Sequence, residues 1–525
     1  MSIEALESRI APAAVINLVT AGTSLKVFET DTTLPGKIGP INIQIGPDLT
    51  AGGVDIAAIN GVTYLLNGAP VTPVNNSIHL AHVLGSITID GGGTTGSNVT
   101  ILPGLYGGNI TMDFAAAGNI ASIEATTIAG GVKVTAPLGG TSVFFNSPAQ
   151  STLIGGPVKL ALGGGGNVVD VLVPQFTALN SFSFLGGPAK LTSGQPLGGT
   201  NLFVVVPAVG SGPLSFSVGG SLLFSAKYAA ADFSISSANV SIAHSATFLE
   251  GAATGSSAVD TIGAGTLNIG GALTWNSNGG QGFQLSGGSV SVAGKLNVNE
   301  GVGNGLVQLT GNAMTIGGIV AVGSGSGGMQ IQPGSPAQFT VNGSVKITNF
   351  GSVSISSLGT IGGSLSILGA NSAHINDAFS SVNGAYLNVG GSVTVASPKT
   401  PTAPTSSFAF GEMSVGGSLK IQGGVTGSAV NLTDSRIFGS VSYTTPKLTG
   451  GNSLFAILQA ANADTMLITG SLSVSLPVGN DTFVVQDANP IPTLLVLGTT
   501  KIAAPFPIQT LYNSALFASP VKIVP

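Results

Sequence analysis

Leu387-Asn388-Val389-Gly390-Gly391-Ser392-Val393-Thr394-Val395 is the stretch whose reading decides the fold. Apolar and polar residues alternate on both sides of Gly-Gly-Ser, which is the period of a strand with one buried face. Leu387, Val389, Val393 and Val395 are expected to point inward, Asn388 and Thr394 outward. The glycine pair is expected to turn a corner, because Gly accepts φ > 0 and has no Cβ to clash.

The same nonapeptide recurs at Phe216–Phe224, Phe339–Ile347 and Met413–Ile421. Looser copies are Leu267–Trp275, Val290–Val298, Met314–Val322, Gly359–Ile367 and Met466–Val474, with weaker ones at Val240–Ala246, Arg436–Val441 and Leu495–Ile502. Successive corners are separated by 20 to 31 residues, with a mean step of about 25. A single strand–corner–strand unit cannot bury its apolar face, whereas stacked copies can. Parallel stacking puts each strand about 4.8 Å from its predecessor and satisfies the backbone between coils. A left-handed hexapeptide helix would demand strict multiples of six. The variable step therefore predicts an all-β right-handed parallel β-helix, a solenoid whose loops differ between coils.

The competing reading is a string of small antiparallel domains joined by Asn-Gly hairpin turns. Asn60-Gly61, Asn67-Gly68, Asn342-Gly343 and Asn383-Gly384 are candidates, but Asn342-Gly343 falls in a repeat corner. Four segments follow. Residues 1–25 form an N-terminal Leu-Glu-Ser-Arg-type segment. Residues 26–210 are an irregular β-rich region, with corner-like text at Val83–Asp90 and Ile128–Thr135 and a blur around Gly163–Gly166. Residues 211–504 are the β-helix repeats, and residues 505–525 a Pro-rich C-terminal cap. Lys399–Ser407 reads as a loop inserted between two copies.

Composition agrees. Gly supplies 80 of 525 residues, and only 7% are charged against 43% hydrophobic. Disorder needs the opposite balance, and no Gly-X-Y period signals collagen. With 15 basic and 20 acidic residues there is no basic stripe for nucleic acid and no polybasic cluster for an anionic membrane. The chain has no cysteine, which excludes disulfides, thiolate catalysis and Cys-based zinc sites. No apolar run is long enough to predict a transmembrane helix. The start, with Glu4 and Glu7 before Arg9 and Pro12 inside the apolar run, makes a poor secretory signal.

Leu6-Glu7-Ser8-Arg9-Ile10-Ala11-Pro12 resembles the LEPR-type segment that opens many large surface proteins of Planctomycetes and Verrucomicrobia. Such proteins often continue into Gly-rich β-strand repeats with phrases like Ile361–Leu365. The resemblance implies a cell-surface or extracellular location and carries over no catalytic residues.

Candidate chemistry is sparse. Glu250 and Glu300 share a repeat offset but lie two coils apart, and Asp377 and Asp434, at offsets of 14 and 17 residues, are likewise two coils apart. Either pair would be about 10 Å apart, too far for a tight glycosidase dyad, so all four are expected to be solvated. His79-Leu80-Ala81-His82 would bring two rings to one face of a helix and hold a metal. With Asp90 the nearest acid downstream and no third ligand in view, a surface turn or short helix is expected. His244 and His374 stand alone. Gly479–Phe483 resembles one fragment of a calcium β-roll repeat, with Gly166-Asn167 and Asp170 a faint second; such repeats need recurring Asp. The glycine clusters lack the Gly-Lys-Ser/Thr of a phosphate loop. Trp275 and most of the 23 Phe residues are expected inside the stack.

The expectation is a structural or adhesive protein of the cell exterior with no catalytic residue, cofactor or metal. Glycans or further copies of the chain are the expected partners. A carbohydrate-active enzyme on a β-helix scaffold is the first alternative, and an autotransporter-like passenger the second.

Overall fold

A computed structural model describes residues 15–30, 39–48, 52–57, 62–93, 95–124, 126–146, 150–187, 200–206, 215–226, 231–251, 259–279, 281–333, 338–357, 359–376, 387–399, 405–446, 452–459, 466–476, 481–487, 494–504, 509–512 and 516–524. They belong to two compact units, Met1–Ala252 and Ala253–Pro525. The described residues contain strands and no α-helix. Both units are β-solenoids of stacked parallel strands.

In the second unit a coil has three sides. Leu387–Val389 leads through the Gly-Gly-Ser corner into Val393–Ala396, and Ser406–Gly411 forms the third side before Met413–Val415 opens the next coil. Each side pairs in parallel with its successor, as Leu387↔Met413, Val393↔Leu419 and Ser407↔Ala429. Val345, Leu365, Val393, Leu419, Val441, Leu472 and Thr500 stand in one column. Each lies two residues past the second corner position, so the ladder register reproduces the unequal glycine steps. The strand Ser406–Gly411 begins inside the stretch expected to be an inserted loop.

The first unit carries the same three-sided coil well before residue 211. Ile87, Ile110, Val132, Val158, Phe182, Leu222 and Ala246 form its column. The corners that the sequence reading passed over are Gly107-Gly108, Gly155-Gly156 and Leu179-Asn180. Among the described residues, antiparallel strand pairs lie at the beginning, apart from an isolated bridge between Gly279 and Gly301 in the second unit. Val15–Ala21 pairs with Ser24–Thr30, Asn42–Pro47 with Gly53–Ala57, and Gly53–Ala57 with Ser77–Ala81. Asn67-Gly68 is a hairpin turn here, with φ of 50° and 83° between strands Thr63–Leu66 and Ala69–Val71. Ser24–Thr30 and Asn42–Pro47 also pair in parallel with Ile87–Gly91 and Asn98–Ile101, covering the edge of the first regular coil. The segment 505–525, expected as a cap, contains Gln509–Tyr512 and Lys522–Val524, both of which extend the parallel ladder. Leu6–Pro12 lies outside the described residues.

The corner glycines work differently from the expectation. Gly363, Gly391, Gly417, Gly439 and Gly470 do not adopt the left-handed conformation. They are needed because successive corners touch. A methyl group on Gly416 would overlap the carbonyl oxygen of Gly390, and one on Gly391 would overlap Oγ of Ser364. The serine of the motif has its own task. Ser364 N–H donates to Ser344 Oγ at 3.1 Å, Ser392 N–H to Ser364 Oγ at 3.2 Å and Ser418 N–H to Ser392 Oγ at 3.1 Å. The series continues through Ser440 and Ser471 at 3.1 Å each. A strand corner leaves amides out of the regular ladder, and this serine column satisfies them.

Inside, alternate side chains of all three sides are buried. Aromatic rings stack between coils, as in Phe184–Phe224 at 4.9 Å and Phe233–Phe248 at 4.1 Å in the first unit. In the second, Trp275 stacks on Phe283 of the same coil at 5.3 Å. Such pairs add about 0.5–1.5 kcal/mol beyond area burial.

Candidate functional site

Two polar features inside the coils are structural. Asn119, Asn167 and Asn201 are buried in the first unit. Asn119 Oδ1 accepts Ser97 N–H at 2.9 Å, and Asn167 Oδ1 accepts Thr141 N–H at 3.1 Å. Asn167 Nδ2 donates to Asn201 Oδ1 at 2.7 Å and to the carbonyls of Gly163 and Gly164 at 3.2 Å. This is an amide ladder that closes a turn, so Asn167 serves the turn and is not presented as a calcium ligand. In the second unit Asp481 is buried and its Oδ1 accepts Ser453 N–H at 2.6 Å. Gly479 and Asn480 lie outside the described residues.

The carboxylates expected in solvent are not all there. Glu250 and Glu300 have relative exposures of only 1% and 0%. Glu250 is the last inward-facing residue of the strand Ala246–Glu250, and Glu300 follows the strand Gly282–Asn299. Burial pushes the Glu300 carboxyl up to about 7, partly offset by backbone N–H groups of Gly305 and Ser324. Asp434 sits at φ 46° in a turn, and Asp377 lies outside the described residues.

The grouping that joins several reactive side chains is in the antiparallel start of the first unit. His79 is on the strand Ser77–Ala81, not on a helix or turn. Ile78 and Leu80 face inward, which puts His79 outward. Asp55 is on Gly53–Ala57, between inward-facing Val54 and Ile56, and is directly opposite His79 across the pair. Asp48 follows the strand Asn42–Pro47, its amide bonded to the Gly53 carbonyl at 3.1 Å. Three neighbouring strands thus deliver two carboxylates and one imidazole to one place.

His79 Nδ1 is 2.6 Å from Asp55 Oδ1 and 3.8 Å from Asp48 Oδ2. One donor atom from each residue lies within 4.8 Å of the others. The side chains of His79 and Asp55 are 43% and 28% exposed, whereas that of Asp48 is 1% exposed. The grouping therefore has a buried wall and an open face. His82 takes no part; it sits at φ 72° with its amide on the Gly52 carbonyl at 3.1 Å. Asp90 is instead paired with Lys26 Nζ at 2.6 Å. His244 is exposed at a corner, and His374 is half-buried on the third side of the second unit.

Sequence reasoning searched downstream of His79 and so missed both partners. The available signal was the shared alternation: Val-Asp-Ile at 54–56 and Ile-His-Leu at 78–80 each put one polar side chain on the face opposite two buried ones.

The class these features define is a β-solenoid with an antiparallel lead-in. No family model, no curated protein and no solved structure matches the chain. Among the described residues no helix is long and apolar enough to cross a membrane.

Proposed function

We propose that the chain is a structural or adhesive repeat protein of the cell surface or extracellular space, and that it is not an enzyme. The observation that carries this reading is the outward ladder of the second unit. Lys346, Ser366, Thr394, Lys420, Ser442, Ser473 and Lys501 form one column. Thr340, Thr360, Asn388 and Ser414 form another on the adjacent side. Hydroxyl and amide groups thus recur about every 4.8 Å on a rigid backbone. Such a surface suits many weak contacts with glycans or with further copies, which gain strength by multivalency. The Leu6–Pro12 resemblance to LEPR-type surface proteins supports the same location.

The second reading, a carbohydrate-active enzyme, draws on Asp48 and Asp55, which approach as closely as a glycosidase pair. His79 hydrogen-bonds one of the two, which counts against a free acid–nucleophile dyad. Glycan-array binding together with electron microscopy of the purified chain tests the proposal. Saturable glycan binding or ordered self-association, without release of new reducing ends, is the expected result. Depolymerisation of a polysaccharide that stops in Asp55→Asn would replace it with the enzymatic reading.

A further inference from the structure

We propose that Asp48, Asp55 and His79 form a binding site for a divalent transition-metal ion, with Zn²⁺ the representative species. The donor set is mixed: an imidazole nitrogen favours zinc and its neighbours, and two carboxylates supply negative charge. The donors come from three consecutive antiparallel neighbours whose backbones fix them. Asp55 and His79 are cross-strand partners, and the Asp48 amide closes the hairpin that carries Asp55. A site on paired strands is held more firmly than one on loops.

Charge argues in the same direction. The Nδ1 hydrogen of one imidazole can serve one carboxylate at a time, and here it serves Asp55 at 2.6 Å. The Asp48 carboxylate faces the same nitrogen at 3.8 Å with its side chain almost wholly out of water. Two carboxylates thus converge on one imidazole nitrogen. A divalent ion would meet both carboxylates while the Nδ1 hydrogen leaves, so that three coordinate bonds replace one hydrogen bond. Two ligands of a tetrahedral zinc lie about 3.4 Å apart, so Nδ1 and Asp55 Oδ1 must separate by less than an ångström. The exposed side of His79 and Asp55 leaves room for water to complete the coordination. The inference does not depend on the adhesive reading, since a bound ion would equally brace the antiparallel lead-in of a purely structural protein.

The test is calorimetric titration of the full chain with ZnCl2, alongside His79→Gln, Asp55→Asn, Asp48→Asn and, as a control, His82→Gln. The expected result is one equivalent of zinc bound with micromolar affinity, at least about tenfold weaker in each of the first three variants and unchanged in His82→Gln. Circular dichroism checks each variant for folding. If Asp48→Asn does not fold, the two partly exposed positions still decide. No saturable binding in the millimolar range, or binding that survives His79→Gln and Asp55→Asn, would overturn the proposal, as would equal loss in His82→Gln.

Discussion

Gly416 lies against the Gly390 carbonyl of the preceding coil, so a side chain there must push two ladders apart. Gly416→Ala is expected to destabilise by about 1–3 kcal/mol, the range for inserting a methyl group into a closed contact. Ser392→Ala removes only the acceptor for Ser418 N–H at an exposed corner. Its expected cost is smaller, about 0.5–1.5 kcal/mol. Guanidinium denaturation of both variants checks the order; a serine variant as damaging as the glycine one would refute the division of labour within the motif. Trp275 offers a third residue-scale test. Its Nε1–H donates to buried Asp260 Oδ2 at 2.9 Å. Trp275→Phe keeps an aromatic ring over Phe283 but withdraws a donor from a buried carboxylate, at an expected cost of about 1–3 kcal/mol. Since Trp275 is the only tryptophan, a blue-shifted wild-type emission reports its burial directly.

At the scale of the element, the bend after Asn299 carries a titrating group. The Glu300 carboxyl is held at about 7 by burial, above its ordinary value of 4.5. Between those values the folded chain holds a proton that the unfolded chain has released, so unfolding becomes easier as pH rises. The second unit is therefore expected to lose about 1–3 kcal/mol between roughly pH 5 and pH 8 from this group. Glu300→Gln should flatten that dependence in chemical denaturation, whereas an unchanged slope would assign it elsewhere. The coil is the other element-scale unit. Deleting residues 392–417 joins Gly391 to Ser418 and removes one whole turn. The shortened chain should fold with unchanged β-sheet circular dichroism, because each coil contacts only its neighbours. Deleting half that span would set one side of the coil on another and is expected to give insoluble protein.

For the whole molecule, most of the fold was legible because its strictest constraint is one of backbone contact at the corners, which glycine meets at most of them. That is why unequal steps between Gly343 and Gly498 could be read directly as ladder register. The first unit was harder to read for particular reasons. Asn180 and His244 occupy corner positions, the stretch 188–199 separates two equivalent strands, and the first strands pair antiparallel before the parallel register begins. Even so, Gly155-Gly156 with Val158 and Leu160 after it carried the motif in plain form. The Asp48–Asp55–His79 grouping was not legible, because antiparallel contacts rather than any repeat period bring those residues together. Buried Glu250 and Glu300 defeated the rule that charges stay exposed, because Glu250 falls on the inward phase of its strand and Glu300 lies where the chain leaves its strand.

The parallel, coil-to-coil register can be tested without ambiguity in a chain that has no cysteine of its own. Thr394 and Lys420 are outward neighbours on successive coils, while Thr394 and Ser442 are one coil further apart. Parallel neighbours about 4.8 Å apart lie within disulfide reach, and residues about 10 Å apart do not. Under mild oxidation Thr394→Cys/Lys420→Cys should therefore form an intramolecular disulfide in high yield, and Thr394→Cys/Ser442→Cys should remain reduced. Failure of the first pair, or equal yields from both, would contradict the stacked-coil register.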